Sequence, residues 1–280
     1  MSFPVFQHEA MATYFEIVIA DQERDYARQA AHAAFRELDR LENELSRYIE
    51  SSDISRCNRL ERGESAILSD DAVECLIIAA DVTLATNRAF DPAYASERPA
   101  DLAPDTPPFT LDPETRTLTS HAIHLHLDLG AVGKGYALDR MADALREWKI
   151  PSAYLNSGGS TVLALDPPPG EPGWRVGVGE GRGYTTIPLT QAALSGSGIA
   201  VKGSHLIDPR TGAPAPRNTR AWALAPNGAQ ADALSTAFFV QTESDVAALC
   251  AAHPAIGAGL TRVDETLMAY GALRSLLQPA

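Results

Sequence analysis

The chain has 280 residues, of which 45% are hydrophobic and 21% charged, and its formal net charge is −13. That size suits one large domain or two intimate subdomains with a substantial core. The acidic balance excludes a sequence-independent grip on nucleic acid or on an anionic membrane, since both need basic surface. A phosphate-bearing ligand would need local neutralisation by backbone N–H groups, a lysine or a bound cation.

The N-terminal stretch MSFPVFQHEAMATYFEIVIADQERD lacks the basic start and long apolar core of a secretory leader. No segment approaches the roughly 20 apolar residues that cross a bilayer, so no membrane insertion and a cytoplasmic location are expected. Cys57, Cys75 and Cys250 are odd in number and lack C-x-x-C spacing. They point to reduced, buried thiols rather than to a disulfide framework or a zinc site.

Residues 12–20 are β-branched and aromatic, a strand signal. Ala27, Ala31, Ala34, Leu38, Leu41, Leu45 and Tyr48 then step by fours and threes, which predicts one buried stripe on a long helix. A polar turn, SRYIESSDISRCNR, ends it. A second helix is predicted over about 70–88, with Val73, Leu76, Ile77, Ala80 and Leu84 inward, stopping at AFDPAY where Pro92 forbids continuation. Residues 95–115 read as a surface excursion, followed by a strand pair, FTLDPETRTLT and AIHLHLDL. A helix aligning Leu138, Met141, Leu145 and Trp148 stops before Ile150 and Pro151. YLNSGGSTVLAL predicts strand, glycine turn, strand; WRVGVGE and YTTIPL predict two more strands. The glycine-studded stretch LSGSGIAVKGSHLIDPRTGAP comes next. Helices over about 230–241 and 246–252 follow, and the end, IGAGLTRV and ETLMAYG, is strand-like. Strands and helices occur in runs, which favours an α+β fold over a doubly wound sheet.

The stretch DLGAVGKGYALD, residues 128–139, carries three glycines around a lysine. It fails the P-loop template, because Gly133-Lys134 is followed by Gly135, and it fails the dinucleotide fingerprint, because its glycines fall at 130, 133 and 135. The shared physics survives: a strand delivers Asp128 to a glycine turn, and a helix dipole then begins beside Lys134. A phosphate-holding turn and a plain strand-to-helix turn both fit. His124, His126 and Asp128 alternate in an H-x-H-x-D pattern seen in some metal sites. One exposed strand face produces the same pattern, and no second cluster of His and Asp ligands accompanies it.

In SHLIDPRTGAP, residues 204–214, a Pro/Gly turn explains everything except His205, a group able to move a proton near neutral pH. In ADALSTAF, residues 231–238, Asp232 and Thr236 share a helix face and Ser235 borders it, with Leu234 and Phe238 opposite. A carboxylate with hydroxyls suits a hard cation such as Mg²⁺, although a helix carboxylate with incidental hydroxyls has the same sequence.

In this order, MATYFEI, LSRYIESSDISRCN, AFDPA, DLGAVGKGYALD, NSGGS, HLIDPRTG and ADALSTA resemble the ApbE family, the FAD:protein FMN transferases, from residue 11 to about 240. The resemblance implies a single ApbE-like domain over 1–280, built as two interlocked α+β subdomains with FAD, the substrate, held between them and Mg²⁺ at its pyrophosphate. It implies transfer of FMN from FAD to a Thr or Ser hydroxyl of a target flavoprotein, with release of AMP. By the same resemblance Met11, Tyr48, Ala89, Phe90, Asp91, Asp128, Lys134 and Ile207 contact FAD. Asp232, Thr236, Ser235 and the carbonyl of Ala131 then hold the metal, and His205 is the general base.

The chain departs from the family pattern at three points. Ser160 ends the N-x-G-G-D stretch, Ala93 ends AFDPT, and residues 198–203 lack a tyrosine-containing S-G-x-Y run. A Mg²⁺-dependent FAD pyrophosphatase and a non-catalytic flavin-binding protein are the alternatives these departures leave open.

Overall fold

A computed structural model describes residues 3–103, 106–198, 207–213, 219–262 and 264–277. Its frame is an antiparallel sheet that, among the described residues, runs β1 (Val5–Ala10), β2 (Thr13–Ile19), β6 (Ala153–Ser157), β7 (Thr161–Ala164), β10 (Ala192–Gly198), β11 (Arg220–Ala225), β12 (Gly257–Thr261) and β13 (Leu267–Tyr270) from edge to edge. A smaller sheet orders β3 (Ser65–Ile67), β5 (Thr117–Ser120) and β4 (Phe109–Asp112), and β8 (Trp174–Val178) pairs with β9 (Thr185–Leu189) as a hairpin. The α+β class read from the runs of elements is the observed one.

One face of the large sheet carries α1 (Arg24–Leu45), α3 (Asp70–Ala85), α4 (Gly133–Glu147) and α5 (Gly228–Val240), which enclose the main core. The β8–β9 hairpin and α7 (Gly271–Leu277) pack on the other face around Trp222, Leu224 and Leu273. Phe15, Ile17 and Ile19 alternate inward along β2 and are fully buried. Each such side chain stabilises the fold by about 1.5–3 kcal/mol relative to exposure. The short α2 (Asp53–Cys57) and α6 (Glu243–Ala252) complete the helices described. None of the described helices is long and apolar enough to cross a membrane.

Four expectations are corrected. The α1 stripe holds through Leu45, but Tyr48 lies beyond the helix and is 82% exposed. Ser52 and Ser55 explain this, because their hydroxyls donate to the carbonyls of Ser46 and Arg47 and hold residues 46–55 as a turn. On α3 the buried positions are Ala72, Val73, Cys75, Leu76, Ala79 and Val82, whereas Ile77, Ala80 and Leu84 face outward. Alanine and cysteine, weak hydrophobic signals, mark the true buried face there.

The strand pair at 109–129 also differs. FTLDPETRTLT folds on itself as the β4–β5 hairpin, and AIHLHLDL makes only the bridge from His124 to Glu97. Its backbone is satisfied piecemeal instead: Leu127 N donates to the Asn58 amide, Asn58 donates to Leu127 O, and His126 N donates to Ser96 Oγ. Finally, Leu234 and Phe238 do not define a single apolar face of α5. The helix is sandwiched between sheet and helices, and Ala229, Asp232, Leu234, Ser235 and Phe238 are all buried. The strands β1, β3 and β11 and the helix α7 had no clear signal: they are short or polar, or in the case of RAWALA they read equally as helix.

Candidate functional site

Asp128 anchors the glycine turn at both ends. Its backbone N–H donates to Pro92 O at 2.9 Å, tying AFDPA to DLGAV, and its Oδ1 accepts from Gly130 N at 2.8 Å. Gly133 N then donates to Leu129 O at 2.7 Å and α4 begins. Lys134 folds back over the turn, donating through Nζ to Gly130 O at 2.9 Å, and lies 3.5 Å from Asp232 Oδ2. The positive end of α4 therefore has a partner within the chain: Gly135 N donates to the same Asp232 oxygen at 3.2 Å.

Gly135 is required by close approach. A Cβ there would sit 2.0 Å from Gly228 O, so α4 and α5 cross with their backbones in contact. One turn further along α4, Asp139 accepts from Gly228 N at 2.7 Å and Ala229 N at 2.9 Å, which satisfies the first donors of α5. Burial pushes the Asp139 carboxyl up to about 6, against the downward pull of those two bonds. Asn227 caps α5 further by accepting from Gln230 N. This double clamp fixes the height at which Asp232, one turn into α5, meets Lys134.

Asp232 is 2% exposed. Thr161 Oγ1 donates to its Oδ1 at 3.3 Å and itself meets Ser195 Oγ at 2.9 Å. Ser195 Oγ and Ser197 Oγ lie 3.2 and 2.9 Å from Ser235 Oγ, and Ser197 Oγ is 3.3 Å from Thr236 Oγ1. A chain of buried hydroxyls thus joins β7 and β10 to the polar side of α5.

Two cavities adjoin this cluster. The smaller, about 430 Å³, is walled by Met11, the 45–49 turn and Asp128, Gly130 and Lys134. The larger, about 600 Å³, is walled by the 89–94 loop, Ala131, Ile207 and Thr236. Arg47, Tyr48, Asp128 and Gly130 line both. Met11 and Ala12 form the β1–β2 turn with φ of 49° and 56°, a left-handed conformation that costs energy for residues with a Cβ. Glu42 holds that turn by accepting from Met11 N at 2.7 Å.

The structure therefore brings together, on the walls of adjoining cavities, Met11, Tyr48, Ala89, Phe90, Asp91, Asp128, Ala131, Lys134, Ile207 and Thr236. Asp232 and Ser235 stand buried directly behind them. Asp91 is also tied locally, accepting from Arg88 at 2.7 Å and Ala93 N at 2.8 Å. His205 lies outside the described residues. The H-x-H-x-D alternation is not gathered into a site: His124 points to solvent 3.8 Å from Glu97, while Asp128 serves Gly130. Sequence reasoning missed Arg47, Thr161, Ser195 and Ser197. For the serines a signal existed, because alternation in SGSG puts both on one face of a strand.

The donor set suits a hard cation. Asp232 is a buried carboxylate whose three partners lie at 3.2–3.5 Å, long for bonds to a charged group. Lys134 at 3.5 Å pairs with it only at long range, so a bound cation would lower the cost of burying this charge. The neighbouring donors, Ser235 and Thr236 hydroxyls and the Ala131 carbonyl, are the oxygens Mg²⁺ prefers. Among the described residues no group of three or more His, Cys, Asp or Glu gathers, so a cation here would rest on one carboxylate with hydroxyl and carbonyl oxygens.

Fold and site together define an α+β protein with two adjoining cavities, a shared wall that carries Arg47 and Asp128, and a buried carboxylate behind it. Residues 11–260 match the model of the ApbE family, and the chain belongs to that family. Among curated relatives, a FAD:protein FMN transferase of Rhodobacter capsulatus is 33% identical over 141 residues, and one of Treponema pallidum is 28% identical over 156. These matches cover 46% and 48% of this chain but only 27% and 43% of those proteins. The fold is that of the flavin transferase ApbE from Vibrio cholerae, with a TM-score of 0.83 at 21% identity over 98% of this chain and 99% of that one. The flavinyl transferase ApbE of Pseudomonas stutzeri superposes with a TM-score of 0.85 at 20% identity, over 99% and 98% of the two chains.

Proposed function

We propose that this chain is a Mg²⁺-dependent transferase that moves FMN from FAD to a Thr or Ser hydroxyl of a partner flavoprotein and releases AMP. The observation that carries the proposal is convergence. Six separated segments meet at the two cavities, with the buried Asp232 and its hydroxyl chain behind their shared wall. The names of the curated relatives support the same reaction.

The chemistry needs a new phosphorus–oxygen bond from the acceptor hydroxyl to the FMN phosphate and loss of the bond to AMP. Lys134, which lines the smaller cavity beside the glycine turn, holds the negative pyrophosphate in an otherwise acidic protein. The exposed Tyr48 ring offers a face that a bound nucleotide would cover, gaining burial at little structural cost. Asp232, Ser235, Thr236 and the Ala131 carbonyl would hold Mg²⁺, which would supply charge neutralisation and Lewis-acid polarisation of the phosphate oxygens. His205 takes the proton of the incoming hydroxyl, a role resting on HLIDPRTG, and a positioned base of this kind contributes about 10²–10⁴-fold.

The test is incubation with FAD, Mg²⁺ and a candidate flavoprotein, followed by intact mass measurement and AMP assay. A mass gain equal to one FMN, lost when the acceptor Thr or Ser is replaced by Ala, is the expected result. AMP release at equal rates with and without acceptor would make the protein a pyrophosphatase. FAD binding without AMP under any condition would make it a flavin carrier.

A further inference from the structure

The wall shared by the two cavities carries a residue that neither the motifs nor the family resemblance singled out. A molecule longer than either cavity must cross Arg47, Tyr48, Asp128 and Gly130, the residues that line both. FAD has a ring system at each end and its charge in the middle, so the charge falls at this wall. Among the described residues of the wall Arg47 is the sole cation, because Lys134 lines only the smaller cavity. On these grounds, and resting on the FAD reading above, we infer that Arg47 is a pyrophosphate-binding residue that sets the preference for FAD over phosphate-free flavins.

The present contacts of Arg47 fit a side chain waiting for such a ligand. Its guanidinium is 3.6 Å from Asp128 Oδ2, with both side chains about one-third exposed, a pairing that solvent screens to little value. It also stacks on Tyr48, 4.7 Å from the ring centroid, and donates to the Tyr48 hydroxyl at 2.6 Å. Its main chain, in contrast, is fixed, because Ser55 Oγ donates to Arg47 O at 2.9 Å. The side chain thus exchanges weak partners for a strong one without moving the turn. A planar fork that engages two phosphate oxygens at once is what guanidinium offers and ammonium lacks.

The experiment measures FAD and riboflavin affinity by flavin fluorescence for the wild type, Arg47→Gln and Arg47→Lys, each checked for an unchanged melting temperature. Arg47→Gln is expected to weaken FAD by about 10- to 100-fold, the range for one bond to a charged group, and to leave riboflavin unchanged. Arg47→Lys should fall between, because it keeps the charge and loses the fork. Unchanged FAD affinity in Arg47→Gln, or equal weakening of FAD and riboflavin, would overturn the assignment. A wild type that binds no FAD would overturn the transferase reading as well, a result the variants alone cannot produce.

Discussion

The α4–α5 crossing and the 46–49 turn face each other across the same cleft and are built in opposite ways. At the crossing, backbone meets backbone at Gly135 and Gly228, two N–H groups are locked by Asp139, and Asp232 is buried among hydroxyls. At the turn, Tyr48 is 82% exposed and Arg47 rests on it through a contact that water competes for. Electrostatic work needs charges that do not reorganise, which the crossing provides. On the proposed reading, capture of a large, two-ended ligand falls to the turn, whose Tyr48 is exposed and whose Arg47 makes only solvent-accessible contacts.

The contrast is sharp enough to break. Gly135→Ala should have the largest effect, because its Cβ would lie 2.0 Å from Gly228 O. Forcing the helices apart is expected to cost about 3 kcal/mol or more and to abolish turnover; a melting temperature and activity equal to wild type would show that the crossing is not tight. Asp232→Ala should act mainly on function, with a smaller loss of stability from the orphaned Gly135 N–H. Transfer falls by about 10²-fold or more and Mn²⁺ binding, followed by electron paramagnetic resonance, is lost while the fold persists. Retained Mn²⁺ affinity would remove the proposed cation site.

Asp139 tests the clamp through pH. Its carboxyl sits at about 6 in the folded protein, above the ordinary carboxylate range, so the folded state binds the proton more tightly than the unfolded state. The stability it contributes is present at low pH and is lost as pH rises towards and through 6. Denaturant titrations at pH about 4.5 and 7 should show the wild type losing about 2 kcal/mol more than Asp139→Asn over that interval. Parallel pH profiles would contradict the burial argument. Tyr48→Ala should have the smallest effect, with no change in melting temperature and FAD binding about tenfold weaker by isothermal titration. A fall in stability there would mean that the turn is a structural element after all.

Legibility in the sequence followed the same divide. The α+β class, the α1 and α4 stripes, the glycine turn and the Asp232–Thr236 face were readable, because each depends on spacing within one segment. AIHLHLDL was misread as a strand because its partners, Asn58 and Ser96, are side chains on distant loops. Arg47 looked like any turn residue, and Thr161, Ser195 and Ser197 gain meaning only when β7 and β10 are laid against α5. Asp139, read as the last letter of a motif, proves to be the cap of a helix that starts almost ninety residues later. Which groups a segment contains is local information; which of them meet is decided by the sheet order.

The claim on which the rest depends is that both cavities form one nucleotide site. A crystal structure with FAD and Mg²⁺ tests it most directly. The account predicts a single FAD spanning the two chambers, its phosphates at the wall of Arg47 and Gly130 and the cation against Asp232. FAD confined to one chamber with its phosphates in solvent, or bound away from this wall, would contradict it.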